Sequence, residues 1–162
     1  MSYKKLITLR ITAIVGAVIF ILYKFNIMPN LNHNSGNLSK CFSAKVDGDS
    51  LSFNKVKAFE IKESKMIIVT AKSSSSDIIE LMIPSTLDQG KYNFYDYFSN
   101  TNTIITGAYE SSNNNGALEG FKSNSKLIIT NHDHVLGIIT GTFDSKTKSK
   151  KITEGEFSVK YK

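Results

Sequence analysis

The chain has 162 residues and a formal net charge of +6, from 20 lysines and arginines against 14 acidic residues. All fourteen acids follow Cys41, so the rest of the chain balances 15 basic residues against 14 acidic ones, which excludes a basic nucleic-acid-binding face. Cys41 is also the only cysteine, so no intramolecular disulfide can form and the fold must depend on its hydrophobic core.

The first predicted element is an apolar stretch at residues 6–25. As a helix it would span roughly 30 Å, the thickness of the hydrocarbon core of a bilayer. Lys4, Lys5 and Arg10 lie at its start and only Lys24 near its end, which places residues 1–5 in the cytoplasm by the positive-inside rule. The sequence therefore predicts a single transmembrane anchor that carries the rest of the chain across the membrane.

Two other interpretations of the N-terminal region stay open. Residues 11–23 would fit the apolar part of a cleavable signal peptide, although no pair of small residues follows them at the spacing of a cleavage site. Leu38-Ser39-Lys40-Cys41 begins like a bacterial lipobox, but Lys40 stands where a small residue is needed, so a lipoprotein is the less favoured interpretation. Residues 26–41 are polar and without periodicity, which predicts a linker.

From residue 42 onward, β-branched and aromatic residues recur in short runs separated by Gly, Asn, Ser and Asp, a pattern typical of strands. The spacing of about ten residues predicts one all-β domain, residues 42–162, built as an antiparallel β-sandwich or barrel. Asp47-Gly48 is expected to form a type I′ hairpin turn. The predicted strands are 42–46, 51–53, 56–61, 66–71, 78–83, 92–98, 103–109, 117–121, 126–130, 136–143 and 152–161.

The last predicted strand has a clear division into two faces. Phe157, Val159 and Tyr161 share one side, so we expect them to be buried, while Lys160 on the other side faces water. Gly141 and Gly155 are expected to permit a close approach of the backbone or a bulge beside this strand.

Several motifs of the domain resemble a known family. They are KLIIT at 126–130, GIITGTF at 137–143, ITEGEFSVKY at 152–161, the opening FSAKVDG at 42–48 and DQGKY at 88–92. This pattern resembles a family of small exported, usually lipid-anchored all-β proteins of unknown function from Bacteroidetes-type bacteria. The resemblance implies an all-β fold and an extracytoplasmic compartment, and it implies no reaction.

The metal-site candidates are His132 and His134. Two residues apart on a strand, they would project to the same side, and imidazole binds zinc or copper. A metal shell needs further ligands, and Asn131–His134 also fits an exposed hairpin turn, so we expect no metal and no cofactor.

The chain shows no nucleophile elbow and no glycine-rich phosphate loop before a helix, so no catalytic residue is predicted.

Tyr95 and Tyr97 mark a possible partner-binding surface. On a strand at 92–98 they would lie on one face while Tyr92, Phe94 and Phe98 lie on the other. A tyrosine has a rigid apolar face and a polar tip, which suit a protein or a glycan partner. Ordinary surface packing beside a covering loop is the alternative interpretation.

These features predict a protein of the bacterial inner membrane that crosses once, with its β domain in the periplasm or outside the cell. We expect a non-catalytic binding or envelope-assembly module with an unidentified ligand. One alternative is an inhibitor or immunity-like partner of another exported protein. A cell-envelope enzyme is the alternative from a different class.

Overall fold

The computed structural model describes residues 41–95, 104–112 and 117–162. The chain divides into two units, Met1–Gly36 and Asn37–Lys162, and all described residues belong to the second. The predicted anchor at 6–25, the linker before Cys41, and Tyr97 lie outside the described residues. Among the residues that are described, no helix has the length and apolar character needed to cross a membrane.

The described residues form one antiparallel sheet of ten strands that curls into a half-barrel. The predicted all-β, antiparallel fold is therefore confirmed. The strands follow one another across the sheet in the order β5-β8-β9-β10-β1-β2-β3-β4-β6-β7. They are β1 (Cys41–Val46), β2 (Asp49–Ile61), β3 (Met66–Ser73), β4 (Ile78–Pro84), β5 (Gly90–Asn93), β6 (Thr106–Glu110), β7 (Leu118–Gly120), β8 (Lys126–Asp133), β9 (Ile138–Lys146) and β10 (Lys151–Lys160).

Strand β2 joins the two halves of the sheet. Its residues 49–52 pair with β1. Its residues 53–61 pair with β3, and the register of this second pairing shifts between Phe53 and Lys55. The sequence pattern predicted two separate strands here, 51–53 and 56–61, because the exposed residues between them interrupt the alternation. The irregularity at Phe53–Lys55 instead keeps one strand continuous, as a β-bulge does while it bends the strand and increases its twist.

The concave side of the sheet is filled by aromatic side chains. Phe143 lies among Phe42, Phe121 and Phe157 with ring centroids 5.7, 6.2 and 6.4 Å away. All four side chains are at most 4% exposed. Because these residues come from β1, β9, β10 and the segment after β7, their packing holds distant parts of the curled sheet together.

The predicted buried face of the last strand is confirmed. Phe157, Val159 and Tyr161 are 2%, 1% and 6% exposed. A Cβ on Gly141 would lie 2.5 Å from the carbonyl oxygen of Ile128, so the backbones approach closely at this position. The expected bulge in β10 is also present, as a register shift between Ile152 and Gly155.

The predicted turn at Asp47-Gly48 has the backbone that a type I′ hairpin requires. Both residues have positive φ, 53° for Asp47 and 95° for Gly48. The turn joins β1 to β2 directly, with Val46 paired to Asp49. It therefore fixes the register of the first hairpin.

Removing the ring of Phe157 should strongly destabilise the domain. Phe157→Ala leaves a cavity beside Phe42 and Phe143 and should lower the free energy of unfolding by about 3–5 kcal/mol. Lys160→Ala, on the opposite face of the same strand, should change it by less than about 0.5 kcal/mol. Urea unfolding of both variants measures the difference. A larger loss for Lys160→Ala would mean that the two faces are assigned the wrong way round.

Candidate functional site

Polar side chains gather at the two ends of the curled sheet, because the turns of an antiparallel sheet alternate between its ends. We call one end the carboxylate end and define it by Asp47, Asp77 and Glu119. We call the other the histidine end and define it by His132 and His134. Each of these two groups brings together residues from several strands and turns.

At the histidine end, both predicted metal candidates lie next to each other. The ring centroids of His132 and His134 are 3.9 Å apart. Strand β8 runs on to Asp133, so His132 belongs to the strand and only His134 to the turn that follows it. The sequence pattern had predicted that the strand ends at Thr130.

Hydrogen bonds determine which ring nitrogen of His132 carries the proton. Its Nδ1 lies 2.6 Å from the carbonyl oxygen of Leu87, which can only accept, so Nδ1 carries the proton. In the neutral ring Nε2 then accepts from the hydroxyl of Tyr161, 2.9 Å away. A metal ion at His132 would therefore have to displace Tyr161. The described residues contain no group of three or more His, Cys, Asp and Glu side chains that could hold a metal.

The same surroundings disfavour the charged form of His132. Burial lowers the pKa of His132, and the neighbouring His134 lowers it further, while the bond to the Leu87 carbonyl acts in the opposite direction. His134 itself faces Asp88, with its Nε2 3.0 Å from a carboxylate oxygen. The two rings thus link the connection between β4 and β5 to the end of β8.

At the carboxylate end, Asp77 is a buried hub for hydrogen bonds. One of its carboxylate oxygens accepts from the hydroxyl of Tyr109 at 3.0 Å and from the backbone N–H of Ser112 at 3.2 Å. The other accepts from the hydroxyls of Ser75 at 2.5 Å and Ser73 at 3.4 Å. Asp77 is 8% exposed, so this network ties the turn between β3 and β4 to the end of β6 from inside the fold.

Charge at Asp77 is retained despite its burial. Burial alone raises the pKa of Asp77, but the hydrogen bonds from Ser75, Ser112, Tyr109 and Ser73 together hold it below its ordinary value. The pKa of Tyr109 is raised to about 12, first by burial and then by its bond to Asp77, so Tyr109 stays a donor. The carboxylate is thus a satisfied structural group.

Asp47 and Glu119 fasten the loop between β9 and β10. Asp47 pairs with the Lys150 ammonium at 2.8 Å and accepts from the backbone N–H of Lys151 at 2.9 Å. Glu119 accepts from the Thr147 hydroxyl at 2.6 Å and from the backbone N–H and hydroxyl of Ser149. The bonds from Thr147 and Ser149 lower the pKa of Glu119, and Lys150 lowers that of Asp47. These carboxylates therefore hold turns in place.

Four large apolar side chains are exposed among the described residues. Tyr95, predicted as a partner-binding residue, is 37% exposed, and its backbone N–H donates to the Ile105 carbonyl oxygen at 2.9 Å. Leu118, Val135 and Leu136 are 53%, 89% and 55% exposed. Leu118 and Leu136 fall within the strands predicted at 117–121 and 136–143, whereas Val135 lies between two predicted strands, so the sequence pattern did not mark any of the three as a displayed residue.

Comparisons with protein-family models, with curated proteins and with solved structures found no match to this chain.

Replacing the carboxylate of Asp77 should destabilise the domain. Asp77→Asn keeps the shape but weakens several bonds to a charged acceptor, so we expect a loss of about 1.5–3 kcal/mol at neutral pH. Because the folded pKa lies below the unfolded value of about 3.9, this contribution is present above that pH and disappears as the pH falls through the folded pKa.

Urea unfolding between neutral pH and about pH 3 measures both effects. Asp49→Asn, at an exposed position just beyond the turn that contains Asp47, is the matched control and should leave stability almost unchanged. Equal stability of Asp77→Asn and the unmutated domain at neutral pH would contradict the role of Asp77 as a hub.

The neutral state of His132 predicts a loss of stability in mild acid. A depressed folded pKa means that the unfolded chain binds the proton first, so stability falls as the pH drops below about 6.5. His132→Asn can still donate to the Leu87 carbonyl but does not titrate, so its stability should vary less between about pH 7.5 and 5.5. Thermal unfolding across this pH range tests the prediction, with His134→Asn as the control that keeps His132. If the stability of His132→Asn changes with pH as much as that of the unmutated domain, the prediction is refuted.

Proposed function

We propose that this protein is a non-catalytic binding module that an uncleaved anchor at residues 6–25 holds on the outer side of a bacterial inner membrane. The anchor rests on the length of the apolar stretch and on the excess of lysine and arginine at its start. The resemblance to small exported all-β proteins supports the same compartment. The proposed ligand is a protein or a glycan of the cell envelope.

The observation that favours binding is a large apolar side chain, that of Tyr95, displayed just beyond the end of β5. Tyr95 is more than a third exposed, yet its backbone is fixed by the hydrogen bond to Ile105 and its neighbour Phe94 is fully buried. A side chain held in this way loses little conformational freedom when a partner covers it. Tyrosine is also enriched where proteins recognise other proteins.

The polar clusters support this interpretation over an envelope enzyme. Asp47, Asp77 and Glu119 are engaged by backbone amides and hydroxyls that close the turns of their own end of the sheet. The histidine nitrogens described above face a carbonyl, a tyrosine hydroxyl and a carboxylate of this same chain. These bonds stabilise the fold and leave the exposed apolar side chains as the groups offered to a partner. An inhibitor of another exported protein would use the same surface.

Crosslinking from position 95 tests this proposal. A photo-reactive phenylalanine analogue in place of Tyr95, in the full chain expressed in its own membranes, should give an adduct with one dominant partner. The same analogue at Ser52, which is exposed on the polar face of β2, is the matched control. Mass spectrometry identifies the adducts. Adducts at position 95 that are no more specific than those at Ser52 would refute a binding surface there.

The anchor is checked in the same preparation. The intact mass should include residues 1–25, and the protein should stay with the membrane after a wash in high salt, because an apolar helix is not released by screening of charges. A mature N-terminus between residues 24 and 40 would refute the anchor, and a lipid on Cys41 would show that the protein is a lipoprotein.

A further inference from the structure

The turn between β8 and β9 carries the most exposed large apolar side chains of the described residues. Val135 is 89% exposed and Leu136 is 55% exposed. We call these two residues the apolar turn. A single exposed aliphatic residue is ordinary on a protein surface. Two adjacent ones at the tip of a turn form a small apolar patch that protrudes from the domain.

The apolar turn is held rigidly. One carboxylate oxygen of Asp133 accepts from the backbone N–H groups of both Val135 and Leu136, at 2.9 and 2.8 Å. Gly137 supplies a positive φ of 67°, and its carbonyl oxygen accepts from the backbone N–H of Tyr161 at 2.8 Å. The two side chains are therefore presented in a fixed geometry, which reduces the entropy lost when they are covered.

The register of the sheet places the apolar turn at the end where the chain enters the domain. Cys41, the first residue of β1, pairs with Ser158 near the end of β10. Two residues further along β10, Lys160 pairs with Ile138, which begins β9 directly after the turn. The entry point of the chain and the apolar turn thus lie at the same end of adjacent strands.

The stretch of sequence between the proposed anchor and Cys41 is short. Fifteen residues, 26–40, separate the apolar stretch from the domain. A random coil of that length has a root-mean-square span of about 20 Å. Tethering of this kind raises the effective concentration of the domain at the membrane surface to roughly the millimolar range, so a weak contact can be occupied.

Charges around the apolar turn are nearly balanced. The ammonium of Lys162 donates to the His134 carbonyl oxygen, and Asp88 faces the ring of His134. A contact made here therefore depends on the apolar side chains more than on net charge. The charged residues of this end are Lys62, Lys65, Lys160, Lys162, Glu60, Glu63, Asp88 and Asp133.

We propose that the apolar turn inserts shallowly into the lipid headgroup region of the membrane that holds the anchor. This inference rests on the proposed anchor and adds a lipid contact to it. The contact is made by the apolar turn, at the histidine end of the sheet. Two aliphatic side chains at a rigid tip suit the boundary between headgroups and acyl chains, where apolar area is buried by a few ångströms of penetration.

Tryptophan fluorescence can test the contact directly, because the chain contains no tryptophan. Leu136→Trp in the full chain, reconstituted in phosphatidylcholine vesicles with brominated acyl chains, reports on contact with lipid. Leu118→Trp is the matched control, since Leu118 is 53% exposed on β7 and lies towards the carboxylate end. We expect at least about twofold more quenching for Leu136→Trp, and this difference should persist in high salt. Adding Val135→Asp to Leu136→Trp should abolish the difference.

The outcomes separate this inference from the anchor. If both tryptophan variants sediment with the vesicles and are quenched equally, the contact is refuted while the anchor stands. If neither variant sediments with the vesicles, the anchor is refuted and the contact with it. If Leu136→Trp is shielded from aqueous iodide but not quenched by brominated lipid, the turn is covered by protein, which also overturns the proposal.

Discussion

The packing of Phe143 against rings from three other parts of the chain is the contact on which the rest of the structure depends. Its neighbours Phe42, Phe121 and Phe157 come from β1, from the segment after β7 and from β10. Beyond them, Phe94 packs edge-to-face on Phe121 with centroids 5.2 Å apart. A ten-stranded sheet could twist open, but a continuous row of rings along its concave side makes the curled form the one that removes most apolar surface from water.

Glycines allow this aromatic row to form. A Cβ on Gly155 would lie 2.5 Å from the ring of Phe143, and one on Gly107 would lie 2.4 Å from the ring of Phe121. Both contacts are shorter than real carbon atoms allow, so rings and backbone fit only because these positions have no side chain. The interior is occupied by these rings, and the carboxylate and histidine clusters lie at the ends of the sheet, where they hold the turns in place.

Much of the fold could be predicted because it follows from local patterns. The alternation at Phe157, Val159 and Tyr161 identified the buried face, and Asp47-Gly48 identified a hairpin.

The polar clusters at the ends of the sheet could be predicted only in part. Asp77 follows four serines and looks like the end of a loop, and its role depends on Tyr109, which β6 brings beside β4 from 32 residues away. His132 similarly meets Tyr161 only because β8 and β10 flank β9. Such pairings between distant strands leave no trace in local periodicity.

The pairing of the first strand with the last also determines when the domain can form. Cys41 has its partner in Ser158, 117 residues further along the chain. At a synthesis rate of roughly 5–20 residues per second, β1 waits about 6–23 seconds for β10 to be made. Until then one edge of the first hairpin is unpaired, so the sheet cannot reach its final curled form. Closure of the sheet is thus a late event, completed only when the final strand has followed the rest of the chain.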